Sequence, residues 1–331
     1  MSPSPFHSIL APYLAGLISL REALGYGDRG IRSHLAHFDR FLLDRQWKSP
    51  CLTRTLVEEW ASSGEPLKPI SRAKRLHAMR LLGRFIAQTQ PDTYIPGRVW
   101  GPRQATGFRP HIYSQAEIRT LLSEAARLTP AGSLRPKTYV TLISLLYSTG
   151  LRISEALALK LSDVDPDAGV LYVRESKFHK SRVVPLHPTT SQGLRDYRLA
   201  RDTLCQCVDP VAPFLVNELR RPLNYPLVCA TFLKIARRAG VRPPPGQKGP
   251  RIHDLRHTFA TERLLAWYRD GQDVQARLPL LATYLGHVSI VSTQIYLETT
   301  AELLSEAANR FKAPCLDEHT SSEENRNEHF R

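Results

Sequence analysis

Residues 253–261 read His253-Asp254-Leu255-Arg256-His257-Thr258-Phe259-Ala260-Thr261. The apolar spacing around them predicts a helix over residues 253–267. On that helix His253 and Arg256, three apart, share a face, while His257 points elsewhere. Histidine takes or gives a proton near neutral pH and arginine stays cationic throughout. Standing alone, His253 would read as a hydrogen-bonded structural residue. Further along, Tyr284-Leu285-Gly286-His287 closes a helix predicted over residues 278–285, with Gly286 as its stop, and Tyr296 follows His287 in the same segment. A phenol with a reference pKa of about 10 becomes a nucleophile only beside a base and stabilising cations.

Two segments on the N-terminal side add cations. In Thr149-Gly150-Leu151-Arg152-Ile153-Ser154-Glu155 a glycine ends one helix and Arg152 begins the next. Helix N-termini attract anions, and a guanidinium adds a planar fork suited to phosphate. An ordinary ion pair of Arg152 with Glu155 is the plainer reading of that segment alone. Residues 170–174 and 182–186 are short Val-rich runs that predict a β-hairpin. Its turn carries Lys177, with Lys180 and Arg182 close behind, and a basic hairpin can reach into a DNA groove. A solvated basic turn is the alternative.

Taken together, these segments resemble the catalytic domain of the tyrosine recombinases, also called phage integrases. G-L-R-x-S-E, H-x-L-R-H-T-F-A-T and L-G-H with a downstream tyrosine occur here in the family's order, standing as Gly150–Glu155, His253–Thr261 and Gly286–Tyr296. The resemblance spans about residues 112–311 and implies a mainly α fold with a small antiparallel β-sheet (α+β), preceded by a helical core-binding domain. It further implies a site-specific recombinase or integrase that cuts and rejoins DNA through a 3′-phosphotyrosyl link. Arg152, Arg256 and His287 match the positions that hold the scissile phosphate. His253 matches the residue that assists proton removal, Lys177 the donor to the departing 5′ oxygen, and Tyr296 the nucleophile. Lys177 lacks the flanking glycines frequent in the family, so Lys180 is its rival. The stretch between Arg256 and His287 is longer than usual, and the extra residues are expected to lengthen the helices or loop there. No cofactor is implied. The implied partners are double-stranded DNA, further copies of the chain as dimers to a tetramer, and a companion recombinase. A type IB topoisomerase, a non-catalytic regulator and an RNA-binding protein are weaker readings.

Composition agrees with a polyanionic partner. Forty-five Lys and Arg against 31 Asp and Glu leave a formal charge of +14. No apolar run reaches the roughly 18 residues of a membrane span, and no signal peptide opens the chain, so a cytoplasmic location without membrane contact is expected. Reduced thiols fit that compartment, and Cys205-Gln206-Cys207 reads as free thiols rather than a zinc site. Asp163, Asp165 and Asp167 read as a solvated turn, not a cation site, and no metal site is expected. Helices are predicted over residues 7–24, 31–43, 53–60 and 71–87. On the last, Arg80 and Arg84 share a face with His77 and are candidate DNA contacts. Residues 91–112 are rich in Pro and Gly, which predicts a linker. Ser114 with Glu117 then forms a capping box that opens a second domain. The resulting division is a core-binding domain over 1–105, a linker over 106–112, a catalytic domain over 113–312 and a disordered tail over 313–331. A helix at about residues 300–311 is expected to dock on a neighbouring copy or on its own domain.

Overall fold

The computed structural model describes residues 5–26, 29–64, 67–97, 110–174, 181–206, 209–287, Thr293 and Tyr296. Contacts divide these residues into two compact units, one ending before and one beginning after the undescribed stretch 98–109. The expected helix at 300–311, the tail, and the hairpin turn with Lys177 and Lys180 lie outside the described residues.

The first unit contains α1 (Ala11–Ala23), α2 (Arg29–Asp44), α3 (Arg54–Ser62) and α4 (Pro69–Ile86). Prolines stand in the first turns of α1 and α4, where the missing N–H costs no helical bond. Thr53 caps α3 by accepting from the Leu56 N–H. Leu14, Leu35, Phe38, Trp60, Met79 and Leu82 meet in one core. Two buried polar groups are satisfied inside it. Trp60 Nε1 donates to His37 Nδ1 at 3.0 Å, and Asp39 accepts from the backbone N–H groups of His7 and Ser8. The breaker-rich stretch is not all linker. Tyr94 N–H donates to Leu52 O at 2.8 Å, Thr93 is buried, and Arg80 Nη1 donates to Pro96 O at 2.9 Å, so residues 93–96 pack on this unit.

The second unit contains α5 (Gln115–Ala126), α6 (Leu134–Thr149), α7 (Ile153–Ala158), α8 (Pro188–Cys205), α9 (Tyr225–Arg238), α10 (Asp254–Arg269) and α11 (Val274–Leu285). The capping box of Ser114 and Glu117 is present. Helix α6 is apolar on most sides and packs against α5, α8 and α10, which makes it the centre of the unit. Tyr113 ties the chain's entry to the α10 region: its N–H donates to Thr258 Oγ1 and its hydroxyl to Arg251 O. A three-stranded antiparallel sheet, ordered β1 (Val164–Asp165), β2 (Val170–Val173), β3 (Arg182–Pro185), lies between α7 and α8 in sequence. Val173 pairs with Arg182 at the end of the hairpin stem.

Two features depart from the sequence expectations. Asp163 is buried rather than solvated, because its carboxylate accepts from the Lys160 N–H and from Arg174 Nε. Asp165 and Asp167 do form the expected turn, with Asp165 accepting from the backbone of Asp167 and Ala168. Helix α8 had no counterpart in the sequence reading. Its buried stripe is Leu194, Tyr197, Arg201 and Cys205, so an arginine occupies a core position and weakens the periodic signal. That guanidinium survives burial by donating to Pro213 O and Asp202. The stretch between Arg256 and His287 is largely helical, α10 continuing to Arg269 and α11 starting at Val274, each beyond the bounds expected from the sequence. Among the described residues no helix is long and apolar enough to cross a membrane.

Candidate active site

Four elements deliver the motif residues. Helix α6 stops at Gly150, whose φ of +61° favours glycine, and a Cβ there would fall 2.5 Å from Phe259 Cδ1. The chain turns at once into α7, with Arg152 as its N-cap. Helix α10 opens on His253 and carries Arg256 in its first turn. Helix α11 stops at Gly286, φ +67°, and releases His287.

The end of α11 is the organising feature. The last carbonyls of a helix lack intrahelical donors and carry the negative end of its dipole. Here three successive carbonyls each accept from a different arginine: Tyr284 O from Arg182 Nε at 2.8 Å, Leu285 O from Arg256 Nη2 at 2.7 Å, and Gly286 O from Arg152 Nη2 at 2.8 Å. Arg256 also donates to Gly150 O at 2.7 Å, which joins the end of α6 to the end of α11. Only 2% of Arg256 is exposed. Burial first, and then the charge of Arg152, lowers its pKa to about 10, which leaves it cationic at neutral pH. A pair of backbone carbonyls thus fixes a buried cation without neutralising it, as a site that must hold an anion requires.

Glu155 is the counterweight. Its carboxylate accepts from the Arg152 N–H and from Arg152 Nη1, and from Arg182 Nη1 and Nη2 at 3.1 and 2.8 Å. Burial alone would raise its pKa, but the hydrogen bonds and charge of Arg182, with those of Arg152, outweigh burial and lower it. The expected ion pair of Arg152 with Glu155 therefore exists, yet Arg152 keeps 25% of its side chain open. The assignment of Arg182 to a DNA groove needs correction. Its side chain is 11% exposed and is consumed by Glu155 and Tyr284 O, facing inwards from the hairpin stem.

Tyr296 is 3% exposed and packs in the cluster formed by α10 and α11. Its charge acts on the Arg256 guanidinium, partly offsetting the burial that lowers the arginine's pKa. The rings of His257 and His287 lie against it at centroid distances of 5.3 and 6.0 Å. His253 in turn meets His257 at 5.2 Å. The expectation that His257 points away is thus wrong. It stands four residues after His253, which on a helix is the same face, and that spacing was available in the sequence. His287 Nδ1 is 2.7 Å from Thr293 Oγ1, a partner that no sequence signal marked. Burial, followed by the charges of Arg256, Arg152 and Arg182, lowers the His287 pKa to about 4. Burial and then His253 take His257 to about 4 as well. His253 is lowered by burial, then by Arg256 and Arg251. All three imidazoles are therefore neutral at pH 7 in the free protein.

In the first unit Arg84 is exposed on α4, whereas Arg80, half-buried, holds Pro96 O. Among the described residues no group of three His, Cys, Asp or Glu is arranged to hold a metal ion, and Cys51, Cys205 and Cys229 are free thiols.

The structure thus gathers Arg152 and the buried Arg256, three neutral imidazoles and the Tyr296 phenol at the end of α11, an arrangement able to bind an anion beside a potential nucleophile. The comparisons agree. The phage integrase family profile matches residues 113–302. A protein of Sinorhizobium fredii named "Putative integrase/recombinase y4rB" is 39% identical over 299 residues, covering 89% of this chain and 94% of that protein. Tyrosine recombinase XerC 2 of Ralstonia nicotianae is 28% identical over 311 residues, covering 90% of this chain and 84% of the relative. Among solved structures, the Tn1549 transposon integrase in complex with transposon right end DNA superposes with a TM-score of 0.62 over 92% of this chain and 99% of that one. At 18% identity, that likeness concerns the fold. The chain belongs to the phage integrase family, the tyrosine-type site-specific DNA recombinases.

Proposed function

We propose that this recombinase cuts DNA with Tyr296 and serves a mobile genetic element. Arg152, Arg256 and His287 hold the scissile phosphate, whose non-bridging oxygens gather charge as the phenol attacks. His253, neutral at pH 7, assists removal of the phenolic proton. The Tyr296 oxygen bonds phosphorus, the bond to the 5′ oxygen breaks, and Lys177 protonates the departing oxygen, with Lys180 the alternative donor. An incoming 5′-hydroxyl reverses the step and releases the tyrosine. The bond is conserved in the protein–DNA link, so the cycle needs no nucleotide hydrolysis.

The observation that carries this reading is the placement of Tyr296: it is buried against the rings of His257 and His287, in the cluster at the end of α11 where Arg152 and Arg256 are anchored. The low exposure of Tyr296 means that the phenol must move when the phosphate takes its place on Arg256. Double-stranded DNA is the substrate, and the helical unit of residues 1–105 contributes contacts through the exposed Arg84. Copies of the chain assemble as dimers and a tetramer on paired sites, in the cytoplasm where that DNA lies, with a companion recombinase where one is encoded alongside. The names of the relatives, an integrase/recombinase and a transposon integrase, support the mobile-element setting.

The test uses nicked duplexes carrying the element's own ends, with EDTA present. Wild type should yield a covalent protein–DNA band on a denaturing gel, and Tyr296→Phe should yield none. A wild type that binds these ends and forms no adduct would overturn the reading.

A further inference from the structure

Arg182 is the one member of the arginine trio on the α11 terminus that the proposed chemistry leaves without a task. It cannot contact a phosphate as it stands. Its Nε is spent on Tyr284 O, and Nη1 and Nη2 on the two oxygens of Glu155. Nor is it a solvated stem residue, with 11% of the side chain exposed. What it joins is more telling. Glu155 is the residue that also holds the backbone N–H and one guanidinium nitrogen of Arg152. Tyr284 O is two residues before Gly286 O, the carbonyl that holds the other guanidinium nitrogen of Arg152. One clamp on Arg152 therefore ends on the carboxylate that Arg182 holds directly, and the other on a carbonyl two residues beyond one that it holds.

Steric room at Gly286 points the same way. A Cβ there would meet Arg182 Nη1 at 2.8 Å and Cζ at 3.0 Å, and Arg152 Nη1 at 3.4 Å. The two guanidiniums lie against one glycine, and Arg182 is the nearer. Its backbone, paired with Val173, ends the stem from which the turn bearing Lys177 departs.

We infer that Arg182 is a positioning residue: through Glu155 and the α11 terminus it holds Arg152 in the orientation that receives the scissile phosphate, and it makes no DNA contact of its own. This rests on the assignment of Arg152 to that phosphate. The physical need is plain. Arg152 carries a quarter of its side chain in the open, and an arginine has many rotamers, so a fixed carboxylate must select one. Glu155 alone could follow Arg152 as it moves. Locked by Arg182, it cannot. A displacement of about 1 Å in such a group lowers a rate by roughly 100-fold.

The full-length Arg182→Lys variant tests this, because it keeps the charge and the stem yet offers one point donor in place of a fork. Single-turnover cleavage of nicked duplex is measured beside equilibrium DNA binding at several salt concentrations. Cleavage should fall about 30- to 100-fold, while affinity changes less than about twofold and the salt dependence of binding is unaltered. Arg152→Lys and the double variant complete a cycle. If Arg182 acts through Arg152, the double variant cleaves no more slowly than Arg152→Lys alone. Wild-type cleavage by Arg182→Lys would overturn the inference. So would a salt slope reduced by about one unit, which marks a lost phosphate contact, or full additivity in the cycle. Absence of adduct with the wild-type protein would count against the tyrosine reading instead, and Arg182→Ala melting data separate a folding defect from a positioning one.

Discussion

Gly286→Ala is the smallest change that reaches the centre of the site without removing a chemical group. Two costs arise together. The residue sits at φ +67°, a left-handed conformation that disfavours any side chain by about 1–2 kcal/mol. The new methyl would also lie 2.8 Å from Arg182 Nη1. That atom ends a long side chain, which elsewhere would simply swing aside. Here three hydrogen bonds to Glu155 and Tyr284 O pin it, so the methyl must displace the guanidinium by several tenths of an ångström and loosen at least one bond. A charged hydrogen bond contributes about 1.5–3 kcal/mol. Together these place the loss of stability at about 2.5–5 kcal/mol, with cleavage slowed roughly 10- to 100-fold as Arg152 shifts. Gly286→Asn separates the two costs, since asparagine tolerates left-handed backbone but brings the same Cβ. Urea melts and single-turnover cleavage of nicked duplex provide the readouts. Asparagine should recover part of the stability and little of the rate. Wild-type cleavage by both variants would refute the reasoning that the arginines are wedged against this glycine.

The histidines make the remaining site pH-sensitive in a definite direction. His287 and His257 fall to about 4 in the folded chain from 6.5 unfolded, so between those values the unfolded state binds more protons. The stability they contribute is complete above about pH 6.5 and is lost as pH falls towards 4, and imidazole NMR signals should still report neutral rings at pH 6; midpoints near 6.5 would contradict this. Thr293→Val keeps the shape but removes the hydroxyl on His287 Nδ1; a lost hydrogen bond of about 1 kcal/mol should slow cleavage about fivefold and leave DNA affinity unchanged. In the first unit, Arg84→Ala should lower the salt slope of DNA binding by about one, whereas Arg80→Ala, which strips Pro96 O of its donor, should lower the melting temperature and leave the slope intact.

The difference between Arg80 and Arg84 shows where the sequence stops informing. Both fall on one helical face by spacing, and only the fold of residues 93–96 onto α4 decides which one is occupied. Arg182 failed for the same reason: a cation in a hairpin stem reads as surface unless its buried acceptor is known, and Glu155 lies 27 residues away. By contrast, Arg152, His253, Arg256 and His287 are singled out through motifs that resemble a family's when taken together, and the structure brings the four to the end of α11 and the rings around Tyr296. Helix α8 was hidden by Arg201 in its core stripe. The bond pattern at the end of α11 was wholly invisible, since backbone carbonyls leave no mark in a sequence. His257 is legible through its spacing of four from His253, which places both rings on one face of α10.

The claim on which the account turns is that one particular phenol among 12 tyrosines becomes bonded to DNA. The direct measurement is to trap the adduct on a nicked duplex, digest the DNA with nuclease and the protein with protease, and locate the nucleotide-bearing peptide by mass spectrometry. The added mass should lie on Tyr296. A nucleotide on Tyr284, on Tyr268 or on any other residue would contradict it.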